Sequence, residues 1–258
     1  MLSDDPRRFL RWDVVTETMF VIYAPYISTE LKYLRRLPQW ETCWQSAITE
    51  SRVGSPIPYI FYSTSSANLI HHAYHVAQFE EKTKAPVREM DFVFEFGGGY
   101  GSMCRLFHNL GFRGTYVIFD YPAVSALQKY YLHALELPVA QCWDDAESNG
   151  GIACVSDLCE VESRLVKRSA GNATAGSLFL ATWSLSESPF DVRRRITSLM
   201  PAFRFASIAY QDAFGEVDNV LFFKEWISDC ANLSWSNQPL NHMGNKNHQL
   251  IGQPREAR

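Results

Sequence analysis

Apolar residues in this chain recur with two periods, and the change from one to the other divides it. From about residue 5 to 85 the spacing is helical. Val14, Met19, Ile22 and Tyr23 fall on one side of a first predicted helix, and Leu31, Leu34 and Leu37 on one side of a second that ends at Pro38. After a loop around Gly54–Pro58, Ser66 or Asn68 caps a third helix that runs through Phe79. From residue 92 onward, short β-branched and aromatic runs alternate with helical stretches. Phe92–Phe96, Thr115–Asp120, Ser177–Trp183 and Phe203–Tyr210 read as strands buried on both faces. Met103–Leu110, Ala123–Leu135, Glu160–Arg168 and Phe190–Leu199 read as the helices between them. For the third strand both Val139–Trp143 and Ile152–Val155 qualify. The second is favoured because the Glu160–Arg168 helix then leads into the next strand, with Asp144–Gly151 as a loop. Val220–Phe223 and Gln249–Ile251 are candidates for a last antiparallel pair, and the tail after Gly252 is expected to fray. The alternation predicts an α/β fold with a doubly wound, mostly parallel seven-stranded sheet over residues 89–258, preceded by a helical cap over residues 1–88.

The chemistry concentrates where the first strand ends. Phe92–Ser102 reads FVFEFGGGYGS: a strand, a turn of four glycines, then a helix. Gly97, Gly98, Gly99 and Gly101 permit positive φ and let a ligand lie against the main chain. A dinucleotide fingerprint would want a small residue where Ser102 stands, and it offers a helix N-terminus to a pyrophosphate. Glu95, two residues before the first glycine, opposes that ligand. A carboxylate at the mouth of the turn repels a diphosphate and attracts a ligand bearing ammonium and sulfonium groups. Asp120, 21 residues after Gly99 at the tip of the second strand, has the spacing of an acid that meets a ribose hydroxyl pair.

Composition narrows the reading. The 258 residues are 47% hydrophobic and 20% charged, enough for one α/β core with an appended piece. A net charge of -4 disfavours a broad nucleic-acid face, since phosphate neutralisation needs clustered Lys and Arg, and the triplet Arg193–Arg195 reads as a solvated helix face. Cys43, Cys104, Cys142, Cys154, Cys159 and Cys230 form no C-x-x-C pair and read as buried free thiols, consistent with a reducing compartment. The N-terminus lacks the apolar core of a secretory signal, and no apolar run approaches the ~18 residues of a spanning helix. These features point to a cytoplasmic protein with no membrane partner.

The pattern E-x-G-x-G-x-G resembles the first motif of the class I S-adenosylmethionine-dependent methyltransferases, which have a Rossmann-like fold. Together with IFDYPAVSALQKYYL, TWSLSESP and SANLIHHAYHVAQFE, it makes the chain resemble the sugar O-methyltransferase family over roughly residues 59 to 251. The chain departs from that family after Ser186, where Glu187-Ser188-Pro189 stands in place of a Glu-Met pair. The resemblance implies that Glu95, Gly97, Gly99, Gly101 and Asp120 bind S-adenosylmethionine and that Trp183 and Ser184 border the cofactor or the acceptor. Gly98, Tyr100 and Tyr121 join the cofactor set, the two tyrosines because their turns should expose them, and Asp157 with Leu158 is the choice for the adenine contact.

Transfer to a hydroxyl also needs a proton acceptor. The candidates are Glu187, at the carboxyl end of the fourth strand, His242, and the histidines of HHAYH. His71 and His75 lie one helical turn apart, a spacing that also permits a two-histidine metal site, although no metal is assigned. The acceptor is expected to be a small molecule, a sugar or a glycosylated compound. N- or C-methylation of another small molecule, a nicotinamide-dependent oxidoreductase and a non-catalytic binding protein are the competing readings.

Overall fold

A computed structural model describes residues 5–170 and 175–255. The central sheet has seven strands: β1 (Phe92–Phe96), β2 (Thr115–Phe119), β3 (Ile152–Val155), β4 (Ser177–Thr182), β5 (Phe205–Gln211), β6 (Leu233–Pro239) and β7 (Asn247–Pro254). Their order is β3-β2-β1-β4-β5-β7-β6. The first five are parallel, and β7 runs antiparallel to both of its neighbours. The chain winds outward from β1 through β2 to β3, returns to the centre at β4, and winds the other way. This is the Rossmann-like, doubly wound fold that class I methyltransferases share, and its switch point lies between β1 and β4, where open α/β sheets bind ligands.

Helices cover both faces. α1 (Asp13–Thr18), α2 (Ile27–Leu34), α3 (Ala67–Thr83), α4 (Ser102–Asn109) and α5 (Pro122–Ala134) contribute to one core, with Val93, Tyr116, Ile118, Leu178 and Leu180 from the sheet. α6 (Trp143–Asn149), α7 (Leu158–Ala170), α8 (Phe190–Thr197) and α9 (Asn219–Asp229) contribute to the other, with Phe92, Phe94, Phe96, Val117, Phe179 and Ala181. Side chains alternate along a strand, so β1 sends Phe92, Phe94 and Phe96 to the second core and Val93 and Glu95 to the first. That parity places the Glu95 side chain beneath α3 and α4.

Ile152–Val155 is the third strand, and Val139 makes a single bridge to Ile152. Several expectations are corrected. Residues 144–151 are mostly helix α6, because Trp143 and Ala146 have an apolar face of β2 and β3 to bury against. Val220–Phe223 is not a strand but part of α9, whose first turn is capped by Asp218, its carboxylate accepting from Leu221 N at 2.9 Å. The partner of β7 is instead β6, whose alternating half-buried pattern carries little hydrophobic signal.

The first helix stops at Thr18, leaving Val14 and Tyr23 exposed and residues 20–24 irregular. Gln253 and Pro254 remain paired in β7, and residues 256–258 lie outside the described residues. Arg193 is no solvated side chain. It is 0% exposed, donating to the Ser186 and Ser188 carbonyls and to Asn219 Oδ1, and so ties α8 to the β4 loop. Cys104, Cys154 and Cys230 are buried thiols, but Cys142 and Cys159 are exposed. No helix among the described residues is long and apolar enough to cross a membrane.

Candidate functional site

The turns after β1 and β4 meet at the switch point. Gly97 has φ +71, and a Cβ there would overlap the Cβ of Ser184, whose hydroxyl donates to the Phe96 carbonyl. The glycine is thus required by conformation and by contact together. Trp183 adopts φ 63, a left-handed geometry that a bulky residue holds only when its surroundings enforce it. Here the Trp183 N–H donates to Ala209 O at 2.7 Å, and its carbonyl accepts from Glu187 N and Ser186 Oγ. Gly98 lies directly over Glu95, so that a Cβ would sit 2.9 Å from Glu95 Oε2.

Asp120 braces the same turn. Its carboxylate accepts from Gly99 N at 3.1 Å and from Tyr121 N at 2.8 Å, and Gln128 Nε2 bridges the Gly99 carbonyl and Asp120 at 2.8 and 3.3 Å. Burial raises the Asp120 carboxyl to about 6 against those main-chain hydrogen bonds. Glu95 is 2% exposed and accepts from Tyr116 Oη at 2.9 Å. Burial lifts its carboxyl to about 8, the Tyr116 hydrogen bond opposing and the Asp120 charge adding. It is therefore an interior acid under the turn and not a charge at its mouth.

Two adjoining cavities open over the turn and share Thr18, Met19, Gly97, Gly99, Ser184 and Glu187 as walls. The larger, 540 Å³, runs over the tips of β2 and β3 and is bounded by Phe119, Asp120, Tyr121, Val124 and Leu158. The smaller, 420 Å³, reaches back to the helical layer and is bounded by Tyr26, Asn68, His71, His72, Glu95 and Trp183. Glu17, Glu95, Asp120 and Glu187 all line one or both cavities, and among the described lining residues none is Lys or Arg.

The back wall comes from α3. Asn68, His71, His72 and His75 follow the spacing of one helical face, and most of this buried polar stripe finds partners. Asn68 donates to Tyr100 Oη at 2.9 Å and accepts from Val21 N at 3.2 Å. His75 Nδ1 lies 3.1 Å from Gln249 Oε1, and its Nε2 is unpartnered. His71 Nδ1 sits 2.9 and 3.0 Å from the two oxygens of Glu30, and His242 Nε2 lies 2.9 Å from Glu30 Oε1. Glu30 is 0% exposed. Burial opposes its charge, but the adjacent His71 and the hydrogen bonds from His242 and His71 outweigh it and bring the carboxyl down to about 2. Burial, reinforced by repulsion from His71, depresses His72 and His75 to about 3, so both rings stay neutral.

The candidates from sequence thus separate. Glu95, Gly97, Gly98, Gly99, Tyr100, Asp120, Tyr121, Trp183, Ser184, Glu187 and His71 line the cavities. Gly101, at φ +95, starts α4 against Leu132. Tyr121 is exposed as expected, at 76%. Tyr100 is not: it is buried, stacked on Phe20 and edge-on to Phe9 and Tyr131, and it locks the N-terminal segment onto the turn. Asp157 is exposed and accepts from Cys159 N at 2.8 Å at the start of α7, while Ser156 and Leu158 line the cavity on either side of it. His75 and His242 lie behind the wall. Glu187 accepts from Gln211 Nε2 at 3.2 Å, and partial burial raises its carboxyl.

Glu30 and Gln128 were not singled out from sequence; Asn68 entered only as a helix cap, and His72 only as one of the histidines of HHAYH. Glu30 had a signal, being a lone acid inside the apolar stripe of Ile27, Leu31 and Leu34. Among the described residues no cluster of three or more His, Cys, Asp or Glu is arranged to hold a metal ion.

Neither protein-family profiles nor curated sequences give a match to this chain. Solved structures do. The methyltransferase domain of bacterial CtHen1-CN aligns with a TM-score of 0.49 and 11% identity, over 71% of this chain and 97% of that one. Precorrin-6y C5,15-methyltransferase from Geobacter metallireducens aligns at 0.43 and 10%, over 74% and 90%. Aeropyrum pernix fibrillarin, in complex with natively bound S-adenosyl-L-methionine, aligns at 0.43 and 13%, over 69% and 72%. At such identities the likeness concerns the fold alone, which the strand order already defines.

Proposed function

We propose that the protein is an S-adenosylmethionine-dependent O-methyltransferase acting on a hydroxyl of a sugar or glycosylated small molecule. The observation that carries this reading is the charge of the cleft. Four acids and no Lys or Arg line the two cavities over the bare glycine turn, among the described residues. A diphosphate would meet carboxyl groups on every side, whereas a ligand with ammonium and sulfonium groups supplies the counter-charge that Glu95 lacks. Asp120 retains lone pairs beyond its three hydrogen bonds and sits at the tip of β2, fitting a ribose diol. The unpartnered, buried Ser102 Oγ and Gln128 Oε1 around the turn are further polar groups for such a ligand.

When bound, S-adenosylmethionine supplies an activated methyl group for in-line displacement. The chain's part is to align the acceptor and exclude water. The 540 Å³ cavity, with Tyr121, Val124 and Leu158, fits the adenosine, and the 420 Å³ cavity fits the acceptor. The sugar class rests on the resemblance of the glycine turn and the TWSLSESP stretch to sugar O-methyltransferases.

Calorimetric titration with S-adenosylmethionine, S-adenosylhomocysteine and NAD tests the reading. The two sulfur compounds are expected to bind, and binding of NAD alone would refute it. Within it, Asp120→Ala weakens cofactor binding by on the order of 1–3 kcal/mol, the loss of a charge-assisted hydrogen bond. An unchanged dissociation constant removes Asp120 from the ribose role.

A further inference from the structure

We infer that His71 is the proton acceptor of the transfer step and that Glu30, from α2, is the residue that positions it, with His242 completing a buried Glu–His–His cluster. The inference rests on the methyltransferase reading and deepens it, since an engineered base is needed for a hydroxyl and not for a neutral amine.

The geometry fixes the roles. A carboxylate can only accept, so both imidazoles hydrogen-bonded to Glu30 present N–H to it. His71 therefore donates through Nδ1, which leaves Nε2 as the nitrogen that gains and loses the second proton, on a ring that lines the same cavity as Gly97–Gly99 and Ser184. The ring cannot turn freely. Trp183 lies across it at 5.2 Å between centroids and 30° between planes, Tyr26 stands at 5.4 Å, and His75 meets it edge-on at 4.7 Å. The titratable groups around it are Glu30 from α2, His72 and His75 from its own helix, His242 from the Asn241–Met243 turn, and the Tyr26 phenol. Glu30 is held ionised while burial keeps His72, His75 and the Tyr26 phenol neutral, so the negative charge beside the ring favours the imidazolium that forms.

The alternatives are weaker bases or lie elsewhere. His72 reaches the cavity but is held neutral by burial and by His71, with its Nδ1 unpartnered. His75 and His242 are behind the wall, and Glu187, which lines both cavities, accepts from Gln211 and is a carboxylate, intrinsically a weaker base than an imidazole. In the step itself an O–C bond forms between the acceptor hydroxyl and the methyl carbon. The C–S bond breaks with its electron pair passing to sulfur, and the hydroxyl proton passes to His71 Nε2 and then to solvent.

The test has two parts, both on the full chain. Long-range ¹H–¹⁵N spectra with S-adenosylhomocysteine bound, assigned through His71→Gln and followed through a pH titration, should show Nδ1 protonated throughout and Nε2 as the nitrogen that titrates. A neutral ring with its proton on Nε2 overturns the assignment. In methyl transfer from S-adenosylmethionine to a panel of methyl glycosides, Glu30→Gln should lower kcat about 100-fold. It should leave the KM for S-adenosylmethionine unchanged and move the acid limb of the rate profile to lower pH, with Glu30→Asp recovering part of the loss.

A Glu30→Gln enzyme with wild-type rate and profile sinks this inference alone, and transfer to no glycoside although S-adenosylhomocysteine binds sinks it together with the sugar acceptor while leaving the cofactor assignment standing. Failure to bind S-adenosylhomocysteine sinks the methyltransferase reading with it. Should Glu30→Gln not fold, the wild-type spectrum and the kcat of His71→Gln, expected to fall at least as far, decide the matter.

Discussion

The floor and the back wall of the cleft are built in opposite ways. The floor is made by near neighbours in the chain: Glu95, three glycines and Ser102 within one strand, turn and helix, braced by Asp120 and Gln128 a short distance on. The back wall gathers Glu30, His71 and His242, the last of them 212 positions from the first. The floor works through main chain and the absence of side chains, so its failures are steric. The wall works through side chains that satisfy one another out of contact with water, so its failures are electrostatic and should be larger.

That difference can be broken first at Glu30. Replacing it by alanine leaves two buried imidazole N–H groups without their shared acceptor, and a loss on the order of 3–5 kcal/mol is expected. Urea unfolding reads this as a lower midpoint at unchanged slope. A loss under about 1 kcal/mol would mean that water takes over the carboxylate's role and that the wall is not closed.

The floor should yield less. Gly97→Ala forces a Cβ into Ser184 at φ +71, with an expected loss of about 1–3 kcal/mol and a parallel loss of cofactor affinity. Gly215 has φ +58 with nothing within 4 Å, so Gly215→Ala carries the conformational strain without the collision and should cost about 1 kcal/mol. Equal thermal shifts for the two variants would show that close approach at Ser184 contributes nothing.

The most diagnostic effect concerns Glu95. Its carboxyl rises from 4.5 to about 8 on folding, so between those values the native state keeps a proton that the unfolded chain has lost. Native stability without ligand should therefore decline as pH rises through that window, with a limiting slope of about 1.4 kcal/mol per pH unit, and level off above it. Glu95→Gln should flatten the decline. Calorimetry in buffers of different ionisation enthalpy should also detect release of up to about one proton near neutral pH when S-adenosylmethionine binds, and none from Glu95→Gln. Proton uptake would show that the ligand does not bring its cation to Glu95.

Much of this was legible in the chain because it is local. Runs such as Phe92–Phe96 and Ser177–Thr182 are apolar throughout since both faces of a parallel sheet are covered, and the glycine turn announces itself by composition. Where reading failed, a longer-range fact decided. Val220–Phe223 has strand-forming residues but lies in a helix, because the edge position beside β7 is taken by β6. Tyr100 sits in a turn that should expose it, yet the N-terminal segment folds over it through Phe9 and Phe20. Arg193 looks like one of three surface arginines until Asn219 and two carbonyls surround it.

By itself the sequence determined the layered α/β topology, the position of the glycine turn and the parity that sends Glu95 to one side of β1, because period, glycine and strand alternation are properties of consecutive residues. Only the tertiary structure decided that Glu95 is buried instead of displayed, that the cleft is free of basic side chains among its described walls, and that Glu30 and His242 converge on His71. The reason is physical: desolvation and charge pairing depend on which atoms end up within a few ångströms, and that is set by how the helical layer seats on the sheet.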